Sequence, residues 1–441
     1  MTTPLMLVSS LGIFYSLLYI VDTLLRTNPS TSLRYLLKLR SLGLEISMLQ
    51  IRWSTIRYNN VLYKLSQYQP RLTSIWFSVG AVASCLLIIP SMVLLTYSLW
   101  QHVNIVINSL DRNVSNNSSN NAILQPIVPG VNLPSSQLVY YILSLALSSI
   151  YHEAGHGLAA YNCSIQMVCA GMLILAIFPA AYVELPTEHL VSRSAWHQLR
   201  IYSAGVWHNL VLAMMASILV MVVPVLAWPL YMTRSGLVVT SVDTDSSVSG
   251  PSGLLPGHVI TAVQGKHIFT LADYKESLAS VIRNNQEGLC ITDNIVAELQ
   301  IQPRDHYNCC PEDRTDSLCF EKSYPRVSPV CLPVRAVISA NQGRLCPDQS
   351  DVWTPRLENN NQTKLVILTR REEKEYIYIG NPGYIYQDTK LSEYIPRYSW
   401  VPLNIPDIII KMLQYITAFS GGLAVLNVVP SYLLDGQHIM R

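Results

Sequence analysis

Charged side chains are scarce in this chain. Asp, Glu, Lys and Arg make up 13% of its 441 residues, against roughly 25% in ordinary soluble domains, while 50% are hydrophobic. That excludes a wholly soluble protein and points to a multi-pass membrane protein with sizeable water-facing parts. Excess charge of one sign is missing too: the formal net charge is +2, so there is no electrostatic footprint for nucleic acid. No basic residue precedes the first apolar stretch (4–25) and no small-residue cleavage site follows it. It reads as a retained anchor and not as a removed signal peptide. Paired CxxC motifs are also absent. Six of the nine cysteines (Cys290, Cys309, Cys310, Cys319, Cys331, Cys346) crowd one polar region. An even number without zinc-knuckle spacing predicts disulfides and an oxidising lumen.

Five apolar stretches, 4–25, 74–100, 137–161, 201–232 and 406–429, are long enough to span or nearly so, and a shorter one, 165–183, contains Pro179. Eight basic residues (Arg26, Arg34, Lys38, Arg40, Arg52, Arg57, Lys64, Arg71) face a single Glu45 between the first two spans. The positive-inside rule makes residues 26–71 cytosolic. Loop 101–136 carries the glycosylation sequons of Asn113, Asn116 and Asn117, which belong on the lumenal side. A full crossing by 165–183 would place the cysteine-rich region and the sequon of Asn361 in the cytosol. The segment therefore reads as a re-entrant or hairpin element buried against protein. Residues 233–404 then form a lumenal domain. It opens with alternating β-type sequence, 236–242, followed by a turn-rich stretch, 250–257, and a second strand pattern, 259–263.

Inside the third apolar stretch lies His152-Glu153-Ala-Gly-His156. On a helix the two imidazoles fall one turn apart on one face and can reach a single metal, with Glu153 placed to take a proton from a bound water. A carboxylate at the centre of an apolar helix costs roughly 2.5–3.5 kcal/mol to insert, so chemistry is a better account of it than chance. A catalytic zinc takes three protein ligands. Glu184, Asp407 and Asp435 are candidates for the third. The topology selects Asp435, because the last span runs from lumen to cytosol and delivers it to the depth of the motif. His438, one turn from Asp435, is more simply an ordinary polar residue.

These residues resemble a known family. The HExxH in a membrane helix, with Asn427-Val-Val-Pro430-Ser-Tyr-Leu-Leu434-Asp435-Gly436-Gln437 far downstream, looks like the site-2 protease family of intramembrane zinc metalloproteases. Ala204-Gly205-Val-Trp207-His208-Asn209 is similar to the family's glycine-to-asparagine motif. Gly43-Leu-Glu-Ile-Ser, Ile51-Arg52-Trp53 and the cysteine-rich insert resemble its animal members. The resemblance implies a polytopic α-helical membrane protein with an inserted lumenal β-rich, PDZ-like, cysteine-rich domain. Its parts are an anchor and basic loop (1–73), a membrane core (74–232), the lumenal domain (233–404) and the helix carrying the LDG motif (405–441). It implies a Zn2+ ion on His152, His156 and Asp435, with Glu153 as general base. Asn427 would be a substrate-backbone or oxyanion contact and Asn209 a substrate-positioning residue.

The implied substrates are membrane-tethered transcription factors, such as the sterol regulatory element-binding proteins, cut after a first lumenal cleavage in the Golgi and ER system. Cholesterol metabolism and the unfolded-protein response are the processes such cleavage serves. The chain ends six residues past Asp435, where the family continues with further membrane helices. A C-terminally truncated form is the expectation, with an inactive membrane scaffold as the alternative function. A zinc transporter is disfavoured, because no series of polar residues crosses the bilayer.

Overall fold

The structure is a computed structural model describing residues 2–110, 134–249, 253–286, 288–301, 309–311, 316–322, 327–341, 352–357, 362–371, 375–432 and 434–440. The sequons of Asn113, Asn116, Asn117 and Asn361, together with Cys346, lie outside those residues. The chain folds as two compact units, one of Met1–Val222 and Ile410–Arg441 and one of Val223–Ile409.

The first unit begins with helices α1 (Thr2–Thr27) and α2 (Ser32–Leu42), strands β1 (Leu44–Ser47) and β2 (Gln50–Thr55), and helices α3 (Arg57–Tyr68) and α4 (Pro70–Leu110). Asp22 of α1 is buried. It is neutralised by Arg26 at 2.6 Å and accepts a 2.7 Å hydrogen bond from Tyr35, which ties α1 to α2. Helix α5 (Leu138–Asn162) carries the HExxH motif and is followed by strands β3 (Cys169–Leu175) and β4 (Phe178–Glu184). The segment expected to be re-entrant is thus a β-hairpin, extended by β1 and β2 into an antiparallel sheet of order β1-β2-β3-β4. The hairpin tip is held from α1, where the buried Tyr15 donates a 2.7 Å hydrogen bond to the carbonyl of Ala176.

Helices α6 (Thr187–Val191), α7 (Ala195–Tyr202) and α8 (Ala204–Ala227) follow. The apolar run predicted over 201–232 therefore breaks at Ser203. It ends as helix before Trp228-Pro229, because the residue ahead of a proline is pushed out of the helical region.

Three helical spans, Pro70–Ile107, Ala204–Ala227 and Ile405–Asn427, are long and apolar enough to cross a membrane among the described residues. Their surfaces are largely uncovered by protein: Leu86, Ile89, Met221 and Val225 are each more than 70% exposed. Hydrocarbon is the solvent that fits such surfaces. The other two predicted stretches fall in α1 and α5, which are also helices. In α5 the two imidazoles and one carboxylate of the motif dilute the apolar character that length alone would supply.

The second unit opens with β5 (Tyr231–Met232), β6 (Leu237–Val242), β7 (Val259–Val263), β8 (Lys266–His267), α9 (Leu271–Arg283), β9 (Leu289–Cys290) and α10 (Asp293–Leu299). It continues through β10 (Ser317–Lys322), β11 (Val330–Pro333), α11 (Val334–Asn341), β12 (Val352–Pro355), β13 (Lys364–Arg370), β14 (Glu375–Gly380), α12 (Pro382–Asp388), β15 (Thr389–Ser392) and β16 (Ile395–Pro396). One sheet has the order β14-β13-β7-β6-β15, with β8 paired to β7, and a second has the order β11-β10-β12-β9.

Strand β13 joins two cores. Val366 and Leu368 pack with Leu237, Ile260 and Tyr274, while Leu365 and Ile367 pack with Phe320, Leu332 and Trp353. A strand buried on both faces must be apolar at consecutive positions, which is why it reads Lys-Leu-Val-Ile-Leu and not as an alternation. Helix α9 starts on a capping box between Thr270 and Asp273. The backbone N–H of Phe269, with the Thr270 hydroxyl and N–H, holds the Asp273 carboxyl below its ordinary range.

Cys309 is bonded to Cys319 and Cys310 to Cys331, and Cys290 is disulfide-bonded as well. The Cys310–Cys331 bridge closes a separation of 21 residues, and removing a crosslink over a loop of that size costs about 3 kcal/mol by loop-closure entropy. A Cys310→Ala/Cys331→Ala chain is expected to unfold at lower denaturant concentration than the parent. Fluorescence of the buried Trp353 is the readout, and the same midpoint in both proteins would contradict the expectation.

Candidate metal centre

Helix α5 presents two polar stripes, each at i, i+4 spacing. Ser149 and Glu153 form one and His152 and His156 the other. The first faces the outer edge of β4. Residues Ala180, Tyr182 and Glu184 turn their backbone groups toward β3 in the observed register, which leaves the N–H groups of Ala181 and Val183 on the free edge. Ser149 Oγ accepts the first at 2.7 Å, and Glu153 Oε2 accepts the second at 3.1 Å. Pro179 lies in the same outward set, where its missing N–H costs no ladder bond.

The imidazole stripe faces α8. A β-carbon on Gly205 would lie 2.5 Å from Cε1 and Nε2 of His152 and would also strike Nε2 of His156. Only glycine leaves room for both rings at that position. Nδ1 of His156 sits 2.8 Å from the carbonyl of Ile201, and Nδ1 of His152 sits 3.1 Å from the amide of the fully buried Asn209.

The third side of the centre comes from the last span, α13 (Ile405–Asn427), and the short helix α14 (Gly436–Ile439). Helix α13 packs parallel to α5: Tyr415 donates to Gln137, Phe419 meets Tyr141 edge-on at 4.8 Å, and Ser420 bonds Ser148 at 2.8 Å. Beyond Asn427 the chain turns so tightly that a β-carbon on Gly436 would run into the carbonyls of Val428 and Val429. That turn delivers Asp435 to the imidazoles. Its Oδ2 lies 3.0 Å from Nε2 of His152 and 3.2 Å from Nε2 of His156, and the two nitrogens are 3.2 Å apart. Asn427 Nδ2 is 3.4 Å from Nε2 of His152.

The structure thus brings together His152, His156 and Asp435, with Asn427 and Asn209 against His152 and Glu153 on the neighbouring stripe of α5. The other candidates lie elsewhere. Glu184 accepts from Cys169 and sits 3.6 Å from Arg52, Asp407 is in the first turn of α13, and the His438 ring stacks on Tyr202 at 4.6 Å. Unforeseen from sequence were Ser149, as an acceptor for the sheet edge, and the steric role of Gly205. The spacing Gly205-x-x-x-Asn209 was the available signal, since it puts both residues on one helix face.

Three ligand-type atoms converge, with Asp435 Oδ2 held away from solvent between the Nε2 atoms of His152 and His156. A buried carboxylate oxygen and two ring nitrogens that turn their lone-pair positions to one point fit a cation at their centre.

A model of peptidase family M50 matches residues 140–441, which include every element of this centre and more than half of the chain. The chain belongs to peptidase family M50. It is therefore a membrane protein of a metalloprotease family. A protein from Arabidopsis thaliana described as a membrane-bound transcription factor site-2 protease homolog is 23% identical over 442 residues, covering 87% of this chain and 83% of the relative.

The glycine contact yields a direct test in this M50 chain. Gly205→Ala is expected to lower metal affinity by at least about tenfold, the smaller end of what loss of ligand support costs. Bound metal per chain, measured by atomic emission on monodisperse protein, is the check. Full retention would show that the rings do not need that space.

Proposed function

We propose that this chain is an intramembrane zinc metalloendopeptidase that cuts within a transmembrane segment of membrane-tethered proteins. The observation that carries this reading is the triangle of His152, His156 and Asp435, built by helices whose outer surfaces suit lipid. Zinc bonded at about 2.0–2.1 Å in a tetrahedron needs donor atoms roughly 3.3 Å apart. The three edges here are 3.0, 3.2 and 3.2 Å. Two imidazoles and one carboxylate leave the fourth position open, the pattern of catalytic and not structural zinc. When bound there, zinc supplies Lewis acidity that polarises a peptide carbonyl and lowers the pKa of a coordinated water toward ~7.

The remaining work falls to the chain's own groups. Glu153, next in sequence to His152, accepts the proton of the attacking water and returns it to the departing amine. Asn427 points its amide nitrogen toward the ligand cluster, where an N–H donor meets the oxyanion that develops on the scissile carbonyl. Transmembrane helices hide their peptide bonds, so the substrate must open locally. The outer edge of β4 carries the N–H groups of Ala181 and Val183, which bond Ser149 and Glu153 and which an opened strand would take over from them, lying beside Glu153.

Tethered transcription factors, the sterol regulatory element-binding proteins among them, are the substrate class. The name of the Arabidopsis relative supports it. The basic loop 26–71 on the cytosolic side and the sequons in the lumen of the Golgi and ER system set the direction of release. Cleavage near the cytosolic end of a span already cut on its lumenal side frees the cytosolic domain. The second unit, in which a glycine-rich turn links the paired strands β6 and β7 beside α9, is read as a PDZ-like lumenal domain. An inactive scaffold is not favoured, since Glu153 and all three ligand residues stand together.

Glu153→Gln is expected to keep its zinc and to lose cleavage of a pre-cut, single-span reporter by several orders of magnitude. Unchanged release of the reporter's cytosolic domain would sink the mechanism. Ala181→Pro and Val183→Pro remove edge-facing N–H groups, the first bonded to Ser149 and the second to Glu153, so Ala181→Pro is the variant that leaves the partner of the base in place. They should retain zinc and lose most cleavage, whereas full activity in both would rule out edge pairing.

A further inference from the structure

Asn209 is expected from sequence to position substrate, but its place in the fold suits another task. It is fully buried, and its amide meets Nδ1 of His152 on the side of the ring away from Asp435. The two nitrogens of a neutral imidazole are not equivalent, because one carries the proton and the other the lone pair. A ring that ligates a metal through Nε2 must carry its proton on Nδ1, and that proton needs an acceptor in a dry site. For His156 the acceptor is a backbone carbonyl, that of Ile201 at 2.8 Å, which no side-chain substitution removes. For His152 the group at that place is the amide of Asn209, whose nitrogen end lies 3.1 Å from Nδ1 and whose Oδ1 is buried beside it without a donor.

We infer that Asn209 is a positioning residue that presents its Oδ1 to Nδ1–H of His152, holding the ring in the tautomer whose Nε2 lone pair faces the metal. The inference rests on the zinc reading proposed above. An amide's oxygen and nitrogen ends have nearly the same outline, so packing around Asn209 accommodates either orientation, and the proton on His152 decides between them. The opposite orientation, with Nδ2 donating to Nδ1, forces the proton onto Nε2. It also leaves Oδ1 buried without a donor, which costs free energy that the other orientation recovers. Helix α8 assigns its two tasks one turn apart on the same face: Gly205 clears space for the rings and Asn209 fixes the proton on one of them.

The test compares the full chain in detergent with Asn209→Leu, Asn209→Ala and Asn209→Asp. Zinc per chain and the rate of zinc loss to a chelator are measured on monodisperse, folded protein. Leu and Ala cannot accept the Nδ1 proton and should weaken zinc binding by about 10–100-fold. Asp accepts it at least as well as Asn and should stay close to the parent. A mere packing role predicts the reverse order, because Leu matches Asn in volume while Asp brings a charge into a buried site. Leu holding zinc as well as or better than Asp therefore overturns the inference. Should Leu fail to give folded protein, Ala against Asp decides in the same way. A parent chain that holds no zinc overturns the metal reading itself, whereas a zinc-loaded parent with equally loaded variants overturns the role of Asn209 alone.

Discussion

Everything at the metal centre depends on the parallel packing of α5 against α13. Ser148 and Ser420 meet through their hydroxyls, a polar contact buried between the two helices. The register, with Tyr415 beside Gln137 and Ser420 beside Ser148, ends α13 at Asn427 next to His152, in the middle of the C-terminal half of α5. The turn after Asn427 therefore falls beside His152 and His156, and Asp435 closes the triangle. A carboxylate and two imidazoles are expensive to keep in apolar surroundings unless each finds a partner. The packing supplies those partners in one place, which makes the cost of each group the condition for the others.

The same turn of α5 serves two surfaces. His152 and His156 look toward α8 and Asp435, while Ser149 and Glu153 look toward the edge of β4. Because Glu153 belongs to the second stripe, its carboxylate is held by the N–H of Val183 on the sheet edge. Tyr15 reaches from α1 to the far end of the hairpin and holds it from its tip. The sheet edge is therefore fixed at both ends against helices, and not left as a mobile loop.

Much of this was legible in the sequence. Five apolar stretches appear as helices, with three of them plainly long and apolar enough to span. The segment with Pro179 is a hairpin, in keeping with a proline that has no N–H to lose on an outward edge. The cysteine-rich block does form disulfides at Cys309–Cys319 and Cys310–Cys331. The pairing of the basic loop's strands with that hairpin was not legible. Strands Leu44–Ser47 and Gln50–Thr55 lie far from residue 169 in sequence, and alternation within a strand does not name its neighbour.

The sequence by itself determined the chemistry available: an HExxH pair at helical spacing, a distant Asp-Gly, and apolar spans that order them along a membrane normal. Spacing along one helix is a local property, so residue types alone disclose it. The tertiary structure alone decided how closely Asp435 meets the imidazoles, why residue 205 is glycine and what Asn209 touches. Those are contacts between helices brought together by packing. The distances that settle them, 3.0 Å from Asp435 to His152 and 3.1 Å from Asn209 to the other side of the same ring, exist only once the helices are side by side.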